Sequence, residues 1–413
     1  MGLATCAAAL MAAAPAHADS TRSSEQWVID ELDLPAAWAK TKGLGVTVAV
    51  IDSGVNPSAS DLQGNVIAGP DYTGVDTPSS NPNWGVHGTW MATLVAGHGH
   101  GDGSGILGSA PAAKVLSIRV ITDSTDPNAA RYRAQSSVQA QQELAEAIKY
   151  AVQHHAGVIS MSLGYSLQSQ VVRAALQNAY DHNVVVVASA GNAGGAAGAS
   201  GAGAAPFSFP ADYPGVLAVG AVNSLGQVAT FSSENLSVQV AAPGSMVPTQ
   251  ARDGTYWNVT GTSPACALTA GVAALIKSAY PRLTDAQVIS AITSSTVPGS
   301  RPPGGWDEQI GFGVVDAGQA LAAAAKLAAT GRALTGVAAS SHFGGGPALV
   351  PASPVASRGP AGLIGDSLLG LACLALIALA TSRLLTPAPS RSAAARSARA
   401  HSSELADRDQ RPG

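Results

Sequence analysis

From residue 43 onward the chain alternates short, continuous β-branched runs with longer amphipathic or wholly apolar segments. The runs are 46–51, 115–120, 158–163, 184–188, 216–222 and 238–241, and the helix candidates are 88–96, 138–153, 171–182 and 264–279. A strand with one wet face alternates polar with apolar residues; these runs do not, so both of their faces are covered. Such strands separated by helices predict an α/β fold, a three-layer, doubly wound, mostly parallel sheet. Thr284 followed three residues later by Gln287 reads as a capping box opening one more helix, and 317–329 as another.

Both ends depart from this pattern. Residues 3–14 are nearly all small or apolar, and Ala16-His17-Ala18 before Asp19 has the form of a cleavage site, so 1–18 reads as a signal peptide. Lipidation at Cys6 is the rival, opposed by Thr5 before the cysteine and by how little precedes it. Residues 19–42 form a short N-terminal extension, 43–329 the folded domain, and 330–362 a Gly/Pro/Ala-rich linker. The stretch 363–385 is long enough for one C-terminal transmembrane helix, with Asp366 and Arg383 near its edges, where they reach the headgroups. Arg391, Arg396 and Arg399 beyond it outnumber Arg332 and Arg358 before it, which makes 386–413 a cytoplasmic tail and puts the domain outside the cell membrane.

Composition removes other classes. The 413 residues are 46% hydrophobic and 12% charged with a net charge of −4, enough apolar material for a large core and no basic stripe, so no nucleic-acid partner is expected. Of the three cysteines, Cys6 lies in the signal peptide and Cys373 in the span, leaving Cys266 as a buried small hydrophobe without a disulfide partner.

Four segments put reactive side chains where secondary structure changes. Asp52 ends the run 46–51 and leads into Ser53-Gly54, at the strand end where open α/β sheets keep their sites. His87-Gly88-Thr89 opens a helix. Gly261-Thr262-Ser263 precedes Pro264 and an apolar helix with Pro at its first position, so Ser263 lies at the positive end of the helix dipole. The run 184–188 enters Ser189-Ala190-Gly191-Asn192, whose amide can donate to developing negative charge.

The order Asp52, His87, Ser263 in the contexts Val50-Ile51-Asp52-Ser53-Gly54, His87-Gly88-Thr89, Ala190-Gly191-Asn192 and Gly261-Thr262-Ser263 resembles the subtilisin-like serine proteases. Gly311-Phe312-Gly313-Val314-Val315-Asp316-Ala317 looks like that family's terminal segment. The layout, with Gln26-Trp27 and Ala37-Trp38 in a short extension, a Pro-rich linker and one span, resembles the mycosins, membrane-anchored subtilases associated with type VII secretion. This resemblance implies a subtilisin-like fold and an endopeptidase acting on an extended peptide or protein, with a type VII secretion membrane complex as partner. Its triad would be Asp52, His87 and Ser263, with an oxyanion hole of Asn192 and the Ser263 N–H. Ser162-Leu163-Gly164 and Ala190-Gly191 would bind the substrate backbone. The alternative is a weakly active or inactive scaffold subunit of such a complex.

Four further features bear on the expected chemistry. Pro264 directly follows the serine, earlier than the family pattern has it, and biases Ser263 toward extended backbone. No cofactor is required and no metal site is assigned. Asp61 aligns with a calcium-ligating Asp of secreted subtilisins, but the companion ligands are not apparent after Gly97, which leaves structural calcium open and unassigned. His98-Gly99-His100 reads as a Gly/Asp-rich loop rather than a metal pair, and Gly365-Asp366-Ser367-Leu368 matches a lipase motif only at the edge of the span.

Overall fold

The computed structural model describes residues 18–101, 103–194, 207–297 and 305–331. Its strands are β1 (Thr47–Asp52), β2 (Val66–Asp71), β3 (His98–His100), β4 (Ser104–Leu107), β5 (Lys114–Arg119), β6 (Val158–Met161), β7 (Val185–Ser189), β8 (Leu217–Val222), β9 (Val238–Pro243), β10 (Val247–Gln250) and β11 (Tyr256–Val259). The helices are α1 (Ala18–Glu31), α2 (Leu34–Trp38), α3 (Val86–Ala96), α4 (Ala129–Arg133), α5 (Ser137–Gln153), α6 (Gln170–Asp181), α7 (Thr262–Ala279), α8 (Asp285–Thr293) and α9 (Ala317–Thr330).

Seven strands form one sheet in the order β2-β5-β1-β6-β7-β8-β9, and every neighbouring pair is parallel. Successive side chains leave opposite faces of a strand. In β1, Val48 and Val50 join the apolar cluster that holds α3 and α7 residues. Ala49 and Ile51 join the one formed by α5 and α6. Both faces are therefore dry, which is why the strands read as unbroken apolar runs. Helix α7, buried from Pro264 to Ile276, packs under β6, β7, β8 and β9.

The chain adds β5 and β2 on one side of β1, then returns to place β6 on the other. The strand order thus reverses between β1 and β6, and a crevice opens outside their carboxyl ends.

The runs read from sequence fall on β1, β5, β6, β7, β8 and β9, and the helix candidates on α3, α5, α6 and α7. The capping box of α8 is present, with Thr284 and Gln287 each bonding the other's backbone. β2 went unread: it is a half-exposed edge strand containing Pro70, so it shows neither an apolar run nor clean alternation. Residues 98–100 correct another expectation, pairing antiparallel as β3 with β4 rather than lying in a plain loop.

Residues 19–42 fold onto the domain. Glu25, 2% exposed, accepts the Leu107 N–H at 2.9 Å, and Trp38 Nε1 donates to the Ser109 carbonyl at 2.9 Å. Burial pushes the Glu25 carboxyl up to about 8, against the Leu107 bond and the Arg22 charge. Among the described residues no helix is long and apolar enough to cross a membrane. The span expected at 363–385, the expected tail, the expected linker beyond residue 331 and the signal peptide expected up to residue 17 lie outside the described residues, as do residues 195–206.

Candidate active site

Asp52 is the last residue of β1 and 1% exposed. Its Oδ1 accepts the Ser53 N–H at 2.7 Å, which fixes the carboxylate against the turn. Nδ1 of His87 lies 2.8 Å from Oδ1 and 3.0 Å from Oδ2. With a carboxylate on Nδ1, the neutral ring carries its proton there and leaves Nε2 as the base.

His87 occupies the first turn of α3, entered through Gly85 with a φ of 70°, a left-handed conformation that glycine adopts without strain. Gly88 permits the close approach of α3 to β1: a Cβ there would run into the Gly54 carbonyl oxygen. The His87 side chain remains 28% exposed at the crevice. Burial disfavours its protonated form, but the charge and hydrogen bond of Asp52, with the charge of Asp123, outweigh burial and raise the imidazole above the ordinary value of 6.5.

Ser263 stands in the first turn of α7. Its Oγ bonds the Ser162 carbonyl at 3.5 Å, and Ser162 Oγ donates back to the Ser263 carbonyl at 3.1 Å. Among the described residues its Oγ makes no hydrogen bond to His87. Pro264 does not push Ser263 out of the helix. The proline is the third residue of α7, not the first, and its missing N–H is one that a helix start leaves unpaired anyway. Asn192 helps hold that turn by accepting the Thr262 N–H at 2.9 Å and the Thr262 hydroxyl at 3.0 Å. These bonds identify the amide oxygen and leave Asn192 Nδ2 free to donate.

Of the remaining predicted residues, Ser162, Leu163 and Gly164 line a cleft with His87, while Ala190 is fully buried. Ala190 N–H donates to Val219 and Gly191 N–H to Thr262 Oγ1 at 3.2 Å, which ties this segment to the start of α7. Ser162, Leu163 and Gly164 face His87, Trp90, Ile121 and Asp123 across a cleft of about 610 Å³. Beneath Ser263, Cys266 is fully buried, its thiol pushed up to about 11 chiefly by burial, consistent with a packing role.

Two contributors were invisible in the sequence. Arg119, 1% exposed, donates to the Ser53 carbonyl at 3.2 Å, pairs with Asp71 and Asp126 at 2.5 and 2.8 Å, and so braces the turn after Asp52 from below. Asp123 is the other, bonding the start of α3. Neither lies in a recognisable local pattern, because each acts on residues distant in sequence.

The surroundings of Asp61 do not fit calcium. Its carboxylate is fully buried, with Oδ1 taken by His100 Nδ1 at 2.6 Å and Oδ2 by the Ile106 N–H at 2.8 Å. Calcium takes about six to eight oxygen ligands, whereas both oxygens of this carboxylate are held by nitrogen donors, with the Tyr256 hydroxyl 3.5 Å from Oδ1. Among the described residues no group of three or more His, Cys, Asp or Glu could hold a metal ion.

The model of the subtilase family matches residues 43–313. Subtilisin DY of Bacillus licheniformis is 36% identical over 254 residues, covering 62% of this chain and 84% of its own length. Among solved structures, the MycP3 protease from the type VII (ESX-3) secretion system is 34% identical with a TM-score of 0.60, over 71% of this chain and 87% of that one. MycP1 with its N-terminal propeptide removed is 30% identical with a TM-score of 0.59, over 71% and 96%.

Proposed function

The chain belongs to the subtilase family and is a subtilisin-like serine protease, and on that premise we propose that it is a membrane-anchored endopeptidase acting outside the cell through Asp52, His87 and Ser263. The observation that carries the reading is the 2.8 Å contact of His87 with a buried Asp52 beside a cleft whose Ser162 is hydrogen-bonded to Ser263.

For reaction, Ser263 Oγ leaves the Ser162 carbonyl and attacks the substrate carbonyl carbon as its proton passes to His87 Nε2. Asp52 keeps the ring oriented and offsets the imidazolium charge. The new oxyanion takes hydrogen bonds from Asn192 Nδ2 and from the Ser263 N–H, which has no acceptor within its helix. The C–N bond then breaks, His87 returns the proton to the leaving amine, and water repeats the sequence to free the acid. Ser162-Leu163-Gly164 and Ala190-Gly191 bind the substrate backbone in extended form.

Residues 363–385 serve as the anchor and 330–362 as its tether. The likeness to MycP3, a protease of a type VII secretion system, supports processing of exported proteins beside such a complex. A second reading, a scaffold subunit with little catalysis, draws on the orientation of Ser263 Oγ toward Ser162 rather than His87.

Fluorophosphonate labelling of the full-length protein separates the two readings. Labelling of the parent but not of Ser263→Ala or His87→Ala supports the protease, and a folded parent that takes no label supports the scaffold. On intact cells an added protease should reach the domain, and digestion only after lysis would overturn the orientation.

A further inference from the structure

Helix α3 lacks a capping side chain of its own, since Gly85 at its start makes no side-chain bond. Its first N–H groups are nevertheless satisfied, by acceptors from elsewhere in the fold. Asp123 Oδ2 accepts from Val86 at 2.8 Å and Oδ1 from His87 at 2.9 Å. Ser53 Oγ accepts from Gly88 at 3.0 Å.

Asp123 follows β5, the strand beside β1, so two neighbouring strands each send a carboxylate to the same residue. Asp52 holds the ring of His87, and Asp123 holds its main chain. Asp123 also lines the cleft with the His87 imidazole and forms no salt bridge among the described residues. An ordinary helix cap would stabilise the fold alone. This one grips the N–H of the base itself and places a carboxylate beside it, one that burial raises against its bonds to His87, Val86 and Ser53.

We propose that Asp123 is a positioning residue of the proteolytic site, setting the His87 imidazole against Asp52 and stabilising the imidazolium formed when the serine proton is taken. The inference rests on the protease reading given above. Asp52 from β1 and Asp123 from the loop after β5 both favour protonated His87. The charge that acts on Asp123 is that of Asp52, which raises it further, and Asp123 in turn opposes the burial that lowers Arg252, in the turn between β10 and β11.

The test compares the parent with Asp123→Asn in the full-length protein. The His87 imidazole is titrated by NMR in a Ser263→Ala background, which needs no turnover, so failure of the protease reading leaves this measurement intact. Asp123→Asn removes the charge and one of the two acceptors. His87 should then titrate at lower pH, the acid limb of kcat/KM should move the same way, and kcat should fall about tenfold with little change in KM. Coincident titrations in parent and variant would overturn the proposal, whatever the melting temperatures. Should Asp123→Asn not fold, Asp123→Glu keeps the charge but moves the acceptors: parental titration with about a tenfold lower kcat supports positioning, and parental kcat refutes it.

Discussion

Asp52 Oδ1 lies 2.8 Å from Nδ1 of His87, joining the last residue of β1 to the first turn of α3. Asp52→Asn would offer an amide where the ring needs a carboxylate and favour the wrong imidazole tautomer. With the fold intact, kcat on a fluorogenic peptide should fall by about 10⁴. A loss below tenfold would remove Asp52 from the mechanism.

The raised imidazole has a readable pH signature. His87 acts as base only when neutral, so activity should be lost as pH falls through a value above 6.5. The stability effect has the opposite sign. A histidine raised by folding contributes fully below its unfolded value and loses that contribution as pH rises through the folded one. Acid should therefore switch off turnover before it loosens the Asp52–His87 junction, and kcat/KM profiles beside melting curves from pH 5 to 9 would show it.

Asn192 has two duties that can be separated. Asn192→Asp retains an oxygen for the Thr262 N–H but loses the donor, so kcat should drop by about 10²–10³ with little change in the melting temperature. An undiminished kcat would place the oxyanion donor elsewhere.

Glu25 couples the extension to pH. Its carboxyl is raised to about 8 in the fold, so its contribution to stability is fully present below the unfolded value near 4.5 and declines as pH rises through the folded one. Glu25→Gln keeps an acceptor for Leu107 and carries no charge. It should raise Tm by about 2–4 °C at pH 8.5 and leave it near parental at pH 4.5. Equal shifts at both pH values would refute the assignment.

Pro264 presents a milder case. As the third residue of α7 it gives up no helical bond, so Pro264→Ala should leave kcat within about twofold and lower stability by about 0.4–1 kcal/mol through the freer unfolded chain. Thermal melts and steady-state kinetics check both.

Asp52, His87, Asn192 and Ser263 were legible because each stands where an apolar run meets a turn, a signal contained within a few residues. The layered sheet was legible for the same reason, since strands dry on both faces leave unbroken runs. Asp123 resembled any loop aspartate, because its partners Val86 and His87 lie 37 and 36 positions away. Pro264 biases Ser263 toward extended backbone, and helix geometry tolerates it. Asn192 on Thr262 and Ser162 on Ser263 are tertiary bonds that hold the turn helical against it.

Strand β1 also imposes an order in time. Its neighbours β5 and β6 end at Arg119 and Met161, so Asp52 leaves the ribosome long before its strand can be enclosed. At ~5–20 residues per second the wait for β6 lasts on the order of ten seconds. Ser263 emerges later still. A nascent chain of this protein thus carries its carboxylate and imidazole early without a finished crevice, and the set of Asp52, His87 and Ser263 is complete only once α7 is in place.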